Sequence, residues 1–347
     1  MKVSILTYHW EDNYGATMQA YATYRAVKES GHTPEFIDLR LPYAPSLKSR
    51  LVFGLKRYRF NNFRKKHFKN LTDKTYRSVE ELRRNPPASD CYLVGSDQTW
   101  NPQIGKKLLP AFFLTFGDDS VRRVTYATSI GLNDWEKSPY ISDSEIKKSL
   151  GRFYRILLRE DSGIRIARET FGVEARQVVD PVLLFPSYPE LTGKIRPSGE
   201  VITYKLINDE GFYDKAKAVA DTMHLPVRSI GSVRKPKGYS ASYPESVEGW
   251  IRRIAGASLV LTDSFHGTVI SLLYHRPFVV YIGNPNRITR IVSLLDQLGL
   301  SERILTGENT FRKILDTANK KIDWNAVDKK LSRLRADSLN LLEEALS

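Results

Sequence analysis

One cysteine in 347 residues is too few for an internal disulfide, and Cys91 stands in the apolar run Cys91-Tyr92-Leu93-Val94, where a thiol reads as a small buried hydrophobe. That usage fits a reducing compartment. No stretch approaches the roughly 18 uninterrupted apolar residues of a membrane-spanning helix. Residues 1–8 run into a strand pattern without the basic and then apolar stretches of a signal peptide. A cytoplasmic chain is therefore expected. G-x-G-x-x-G, G-x-x-x-x-G-K-S/T, G-x-S-x-G and H-E-x-x-H are also missing, which leaves nicotinamide, P-loop, hydrolase-elbow and zincin readings without support. The six histidines (His9, His32, His67, His224, His266 and His275) are scattered without ligand spacing, so neither a structural nor a catalytic metal is expected.

Acidic residues are absent from one segment altogether. Between Lys48 and Lys69 there are nine basic residues (Lys48, Arg50, Lys56, Arg57, Arg59, Arg64, Lys65, Lys66 and Lys69) and no Asp or Glu, so part of the net charge of +14 is local. Leu51, Val52, Phe53, Leu55, Tyr58, Phe60, Phe63 and Phe68 are interleaved with them. Such a segment reads as a solvated helix covering a domain edge, as a contact with an anionic polymer, or as a peripheral contact with an anionic membrane at its inner face. No nucleic-acid-binding motif accompanies it, so nucleic acid is not an expected partner.

What is present is an ordinary globular composition, 41% hydrophobic and 27% charged, in a chain long enough for two domains of roughly 150 residues. The pattern alternates strand and helix. Residues 3–8 are apolar and β-prone, Asp12-Asn13-Tyr14-Gly15 supplies a turn, Ala16, Ala20, Tyr24 and Val27 recur at helical spacing, and residues 34–39 make a second strand. Further strands are predicted over 91–94, 121–128 and 154–158, with helices over 142–150 and 164–171. After Asp180-Pro181 and a stretch rich in Ser, Pro and Gly, a second series runs: strands over 201–205, 226–230, 258–262 and 278–282, and helices over 209–223, 247–255, 267–274 and 290–298. Residues 324–346 read as an amphipathic closing helix carrying Leu331, Leu334, Leu339, Leu342 and Ala345. The expected organisation is two doubly wound α/β domains, 1–188 and 189–322, facing a cleft, followed by a helix over 323–347.

Polar groups gather where strands meet helices. In Leu259-Val260-Leu261-Thr262-Asp263-Ser264-Phe265-His266-Gly267-Thr268 an apolar strand runs directly into Ser, His and Gly at a helix start, the setting in which backbone N–H groups and the helix dipole receive an anion. His266 there suits hydrogen bonding to an anion or moving a proton, and reads equally as a structural helix-start histidine. Arg159, between a strand and Glu160-Asp161-Ser162-Gly163, has the fork for a carboxylate or phosphate and equally for an ion pair with a neighbour. Gly95-Ser96-Asp97-Gln98-Thr99-Trp100-Asn101-Pro102 mixes hydrogen-bonding groups with a tryptophan, as a sugar requires, and reads equally as an Asx-stabilised turn. His9-Trp10-Glu11-Asp12-Asn13-Tyr14-Gly15 is a fourth loop of this kind.

Taken together, Asn13-Tyr14-Gly15-Ala16 with Gln19-Ala20, Val94 to Asn101, Arg159-Glu160-Asp161-Ser162, Asp180-Pro181 and Thr262 to Thr268 resemble the polysaccharide pyruvyl transferase family in order and spacing over nearly the whole chain. The resemblance implies a GT-B-like fold of two Rossmann-like domains, with the acceptor on the first and the donor on the second. It implies phosphoenolpyruvate as donor, without a further cofactor, and a polysaccharide or lipid-linked sugar as acceptor, as in exopolysaccharide biosynthesis. Carried over by position, His266 is the general acid and Arg159 a donor-binding residue, with Ser264, Phe265, Gly267 and Arg287 beside the donor. Asp97 or His9 is the candidate base, a weaker assignment than that of the acid, while His9, Asn13, Tyr14, Gln98 and Trp100 face the acceptor. One position departs from the family: Ser264 stands where many members carry arginine, and Arg287 or Arg290 of the next loop could take its place. Two other readings stay open, a nucleotide-sugar glycosyltransferase of similar fold and a non-catalytic glycan or membrane-surface binding protein.

Overall fold

In the computed structural model, which describes residues 1–42, 46–207, 209–231, 235–282, 288–307 and 310–347, the chain divides into two compact units. The first comprises Met1–Ser46, Arg64–Leu184 and Ser332–Ser347, and the second comprises Leu47–Phe63 and Phe185–Leu331. Each is built on a parallel sheet.

The first unit contains β1 (Lys2–Leu6), β2 (Thr33–Phe36), β3 (Cys91–Val94) and β4 (Arg122–Thr125), in the order β2-β1-β3-β4. All three pairings are parallel. β5 (Leu157–Leu158) pairs with β6 (Arg176–Gln177), and bridges Val124↔Arg155 and Thr128↔Leu158 set β5 beside β4. The chain starts in the middle of this sheet, so its order reverses between β1 and β3. That reversal is where the carboxyl ends of parallel strands open a ligand crevice. Helix Tyr14–Glu29 crosses from β1 to β2, capped at its start by Asn13, whose Oδ1 accepts from the Ala16 N–H at 3.1 Å. The core includes Leu6, Val94, Phe112, Phe113, Leu158 and Phe171. Cys91 lies inside it, and burial pushes its thiol up to about 12, as befits a small hydrophobe rather than a nucleophile.

The second unit contains β7 (Val201–Tyr204), β8 (Val227–Ile230), β9 (Ser240–Ser242), β10 (Leu259–Thr262), β11 (Phe278–Ile282) and β12 (Ile304–Thr306). They form one parallel sheet in the order β12-β11-β10-β7-β8-β9, reversing between β7 and β10. β7, β10 and β11 are buried along their full length, which is why they read as continuous apolar runs rather than alternating ones. Val201, Phe212, Leu261, Val279, Leu305 and Ile314 belong to its core.

Helix Trp324–Leu346 serves both units in turn. Its first half is held by a 2.9 Å contact between Asp328 and His275 and by Lys330 Nζ donating to the Leu298 carbonyl. In its second half, Arg335 Nε donates to the Leu183 carbonyl and Ser338 Oγ accepts from the Val179 N–H.

Candidate functional site

At the reversal of the second sheet, β10 ends on Thr262 and Ser264 opens helix Phe265–Leu273. Thr262 Oγ1 donates to the Tyr204 carbonyl at 2.6 Å and accepts from the Ser264 N–H at 3.0 Å, fastening the turn to the end of β7. Ser264 Oγ accepts from the Gly267 N–H, so its hydroxyl is a helix cap and one first-turn N–H is already taken. A Cβ on Gly267 would stand 2.7 Å from Thr262 Oγ1 and 3.1 Å from the Tyr204 ring. The sequence reading set this glycine beside the donor; the space a Cβ would need is filled by the protein, and glycine lets helix and strand pack closely. His266 lies in the first turn, buried, its ring edge-on to Phe265 at 5.1 Å. The Arg290 guanidinium lies over that Phe265 ring at 6.0 Å. Arg287 lies outside the described residues.

Behind this turn stands a group that sequence reasoning missed. Lys205, directly after β7, is buried against Asp263 at 3.1 Å, with Nζ over the rings of Phe212 (4.7 Å) and Tyr281 (5.6 Å). Asp263 also accepts from the N–H groups of Leu206 and Ile207. The signal was available, since Lys205 ends a strand and Asp263 follows one, but no spacing links two residues 58 positions apart in the chain.

At the reversal of the first sheet, Thr7 Oγ1 donates to the Ser96 carbonyl and accepts from Gln19 Nε2, tying β1, β3 and the first helix together. Asp97 adopts φ 83°, a left-handed conformation uncommon outside glycine, and its Oδ1 accepts from the Gln98 N–H. Gln98 Oε1 accepts from Asn101, and its amide occupies the space over Gly131, where a Cβ would come within 2.2 Å of it. Nearby Tyr8, also missed by the sequence reading, is buried with its hydroxyl without a hydrogen-bond partner among the described residues. Burial first, then the charge of Asp97, raises the Tyr8 phenol well above its ordinary value.

Four residues assigned to the acceptor side hold structural positions. Trp100 is 2% exposed, stacked on Phe113 at 4.9 Å with Nε1 donating to the Phe112 carbonyl, so its ring is core rather than an open platform. Asn13 is the helix cap described above, and Tyr14 is buried in that helix's first turn. His9 is also buried: its ring stacks on Phe36 at 4.9 Å, Nδ1 lies 3.2 Å from the Thr7 carbonyl and Nε2 3.4 Å from Asp38. Burial lowers its proton affinity against the pull of Asp38. Burial would raise the Asp38 carboxyl, but hydrogen bonds from His9 and Thr75 together with Arg40 hold it at about 2.

Arg159, at the end of β5, enters a buried ion-pair network. Nη1 donates to Asp180 at 2.6 Å and to Ser96 Oγ at 3.2 Å, and Nε lies 3.8 Å from Glu160. Glu160 in turn accepts from Ser129 Oγ and from the N–H groups of Ile130 and Gly131. The ion-pair reading of Arg159 is thus present in the structure, joining the ends of β3, β5 and β6. Among the described residues no three His, Cys, Asp or Glu come together as a metal group.

A model of the polysaccharide pyruvyl transferase family matches residues 13–285, the span that holds the reversal of the second sheet and the whole Arg159 network. The chain belongs to the polysaccharide pyruvyl transferase family. Membership makes it a transferase. No curated protein shows a significant match. Among solved structures the chain is similar to UGT89C1 of Arabidopsis thaliana, at 10% identity and TM-score 0.54 over 99% of this chain and 98% of that one. The glycosyltransferase AviGT4, of avilamycin A biosynthesis, aligns at 12% identity and TM-score 0.54 over 99% and 96%. A UDP-GlcNAc 2-epimerase of Neisseria meningitidis aligns at 11% and 0.52 over 96% and 100%. At these identities the likeness is one of fold, and it makes this family member GT-B-like.

Proposed function

We propose that this protein transfers the pyruvyl group of phosphoenolpyruvate to sugar hydroxyls of a polysaccharide or lipid-linked glycan precursor, forming a pyruvate ketal. The observation that carries the reading is His266 on the first turn of a helix entered straight from β10, at the reversal of the second sheet, in a chain of this family. A doubly charged phosphate ester finds at such a turn both the positive end of a helix and an imidazole. His266 delivers a proton to the methylene carbon of phosphoenolpyruvate, which leaves a cation-like centre at the carbon bearing phosphate and carboxylate. A sugar hydroxyl adds to that centre, losing its proton to a base, for which Asp97 is the candidate. The C–O bond to phosphate then breaks, inorganic phosphate departs, and a second hydroxyl closes the ketal. Donor and acceptor supply every atom.

The test is phosphate release from phosphoenolpyruvate against free and lipid-linked sugars, with mass detection of the adduct. Loss of general acid catalysis from His266→Ala is expected to lower turnover about 10²- to 10⁴-fold. An unchanged rate would remove His266 from the chemistry. Thermal shift separates the donor classes: stabilisation by UDP or GDP sugars and not by phosphoenolpyruvate would replace this reading with a nucleotide-sugar transferase.

A further inference from the structure

Helix Leu47–His67 carries an outward apolar stripe that its own fold leaves open. Leu51 is 78% exposed, Leu55 53% and Tyr58 62%, at spacings of four and three residues that set them on one face. Phe60 and Phe63, on another face of the helix, are fully packed. Val52 and Phe53 add exposed apolar surface at 41% and 38%. Surface hydrophobes scattered singly need no explanation, but Leu51, Leu55 and Tyr58 stand together on one face as a stripe. The stripe runs on into cations, as Lys65, Lys66 and Lys69 are exposed and Arg59 is half-buried.

The remaining basic residues of this segment are not equivalent. Arg64 is spent internally, donating to the Trp10 and Glu11 carbonyls and pairing with Asp12, and so does not join the outward cations. Lys56 lies over the Phe60 ring at 5.6 Å. The side chains of Lys48 and Arg50 lie outside the described residues.

We infer that helix Leu47–His67 is the membrane-docking element of this protein, lying in the plane of an anionic bilayer with Leu51, Leu55 and Tyr58 at the acyl boundary and Arg59, Lys65, Lys66 and Lys69 on the headgroups. Charge complementarity selects the occupant: with no acidic residue from Lys48 to Lys69, the surface fits a uniformly negative partner. The apolar stripe selects a bilayer over a soluble polyanion, which would leave the leucines in water. No helix among the described residues is long and apolar enough to cross a membrane, so the contact is in-plane.

The experiment is co-sedimentation of the full chain with phosphatidylglycerol-rich and with pure phosphatidylcholine vesicles across a salt series. Binding to the anionic vesicles alone, weakened by salt, is expected. The double variant Lys65→Glu/Lys66→Glu should weaken partitioning about 30-fold, the equivalent of about 1 kcal/mol per basic residue removed. Leu51→Glu/Leu55→Glu should weaken it at least about tenfold, the transfer of two leucines being lost. Both pairs are solvent-exposed, and unchanged thermal unfolding would verify that the fold is intact. Three results overturn the inference: no sedimentation with anionic vesicles at low salt, binding that the leucine variant leaves untouched (a polyanion-type contact), or self-association that the leucine variant abolishes while vesicle binding is absent (a second copy on the patch).

Discussion

Each unit buries a cation against a carboxylate at the end of parallel strands, and the two pairs do different work. Arg159 meets Asp180 and Ser96 with Glu160 beside it, and Glu160 is itself held by three donors, so the first network locks three strand ends together. Lys205 meets one carboxylate, Asp263, whose other bonds go to the N–H groups of Leu206 and Ile207, both on the surface. The second pair is a tether for the loop after β7, set directly behind the Ser264–His266 turn. A fork with several donors suits the lock and a compact ammonium over aromatic faces the tether.

The largest effect should come from breaking the Arg159 network. Arg159→Met leaves Asp180 and Glu160 buried without their cation and is expected to cost about 3–5 kcal/mol of stability. Lys205→Met leaves Asp263 its two backbone donors, and about 1–3 kcal/mol is expected. Denaturant unfolding of the two variants measures both. Equal costs would erase the distinction between lock and tether. If Arg159→Met proved as stable as the parent yet bound phosphoenolpyruvate weakly, Arg159 would be a ligand residue rather than a lock.

Much of the fold was legible because buried parallel strands announce themselves as apolar runs: the predicted strands over 91–94 and 278–282 coincide with β3 and β11. Short or polar strands were not. Arg176–Gln177 and Ser240–Ser242 carry no apolar signal, and their pairing comes from neighbouring strands. At the site, sequence showed which residues end strands but not what they touch. Trp100 reads as a sugar platform until Phe113 and the Phe112 carbonyl are seen to hold it. Arg159 reads equally as a ligand residue and as an ion-pair partner until Asp180, 21 positions away, is placed beside it.

A smaller effect probes the turn at β10. Gly267→Ala puts a methyl 2.7 Å from Thr262 Oγ1, the atom that fastens the turn to β7, so Thr262 must shift. Overpacking of about 1–3 kcal/mol is expected. Because the displaced bond positions Ser264 and His266, turnover should fall more than stability alone predicts when measured well below the unfolding temperature. Loss of stability with full turnover would detach the turn from the chemistry.

The smallest effect separates the units by pH. His9 in the first unit binds a proton less readily folded than unfolded, because burial disfavours the imidazolium. The unfolded chain therefore takes up the proton first, and stability is complete above about pH 6.5 and declines as pH falls below it. Asp38 acts lower: held at about 2, its contribution is present above about pH 3.9 and lost as pH falls from there. His9→Gln should flatten the decline of the thermal midpoint just below about pH 6.5 while leaving the steeper acid loss in place. An undiminished slope in the variant would assign that decline to other groups, and a slope of opposite sign in the parent would mean that His9 is charged in the fold, paired with Asp38.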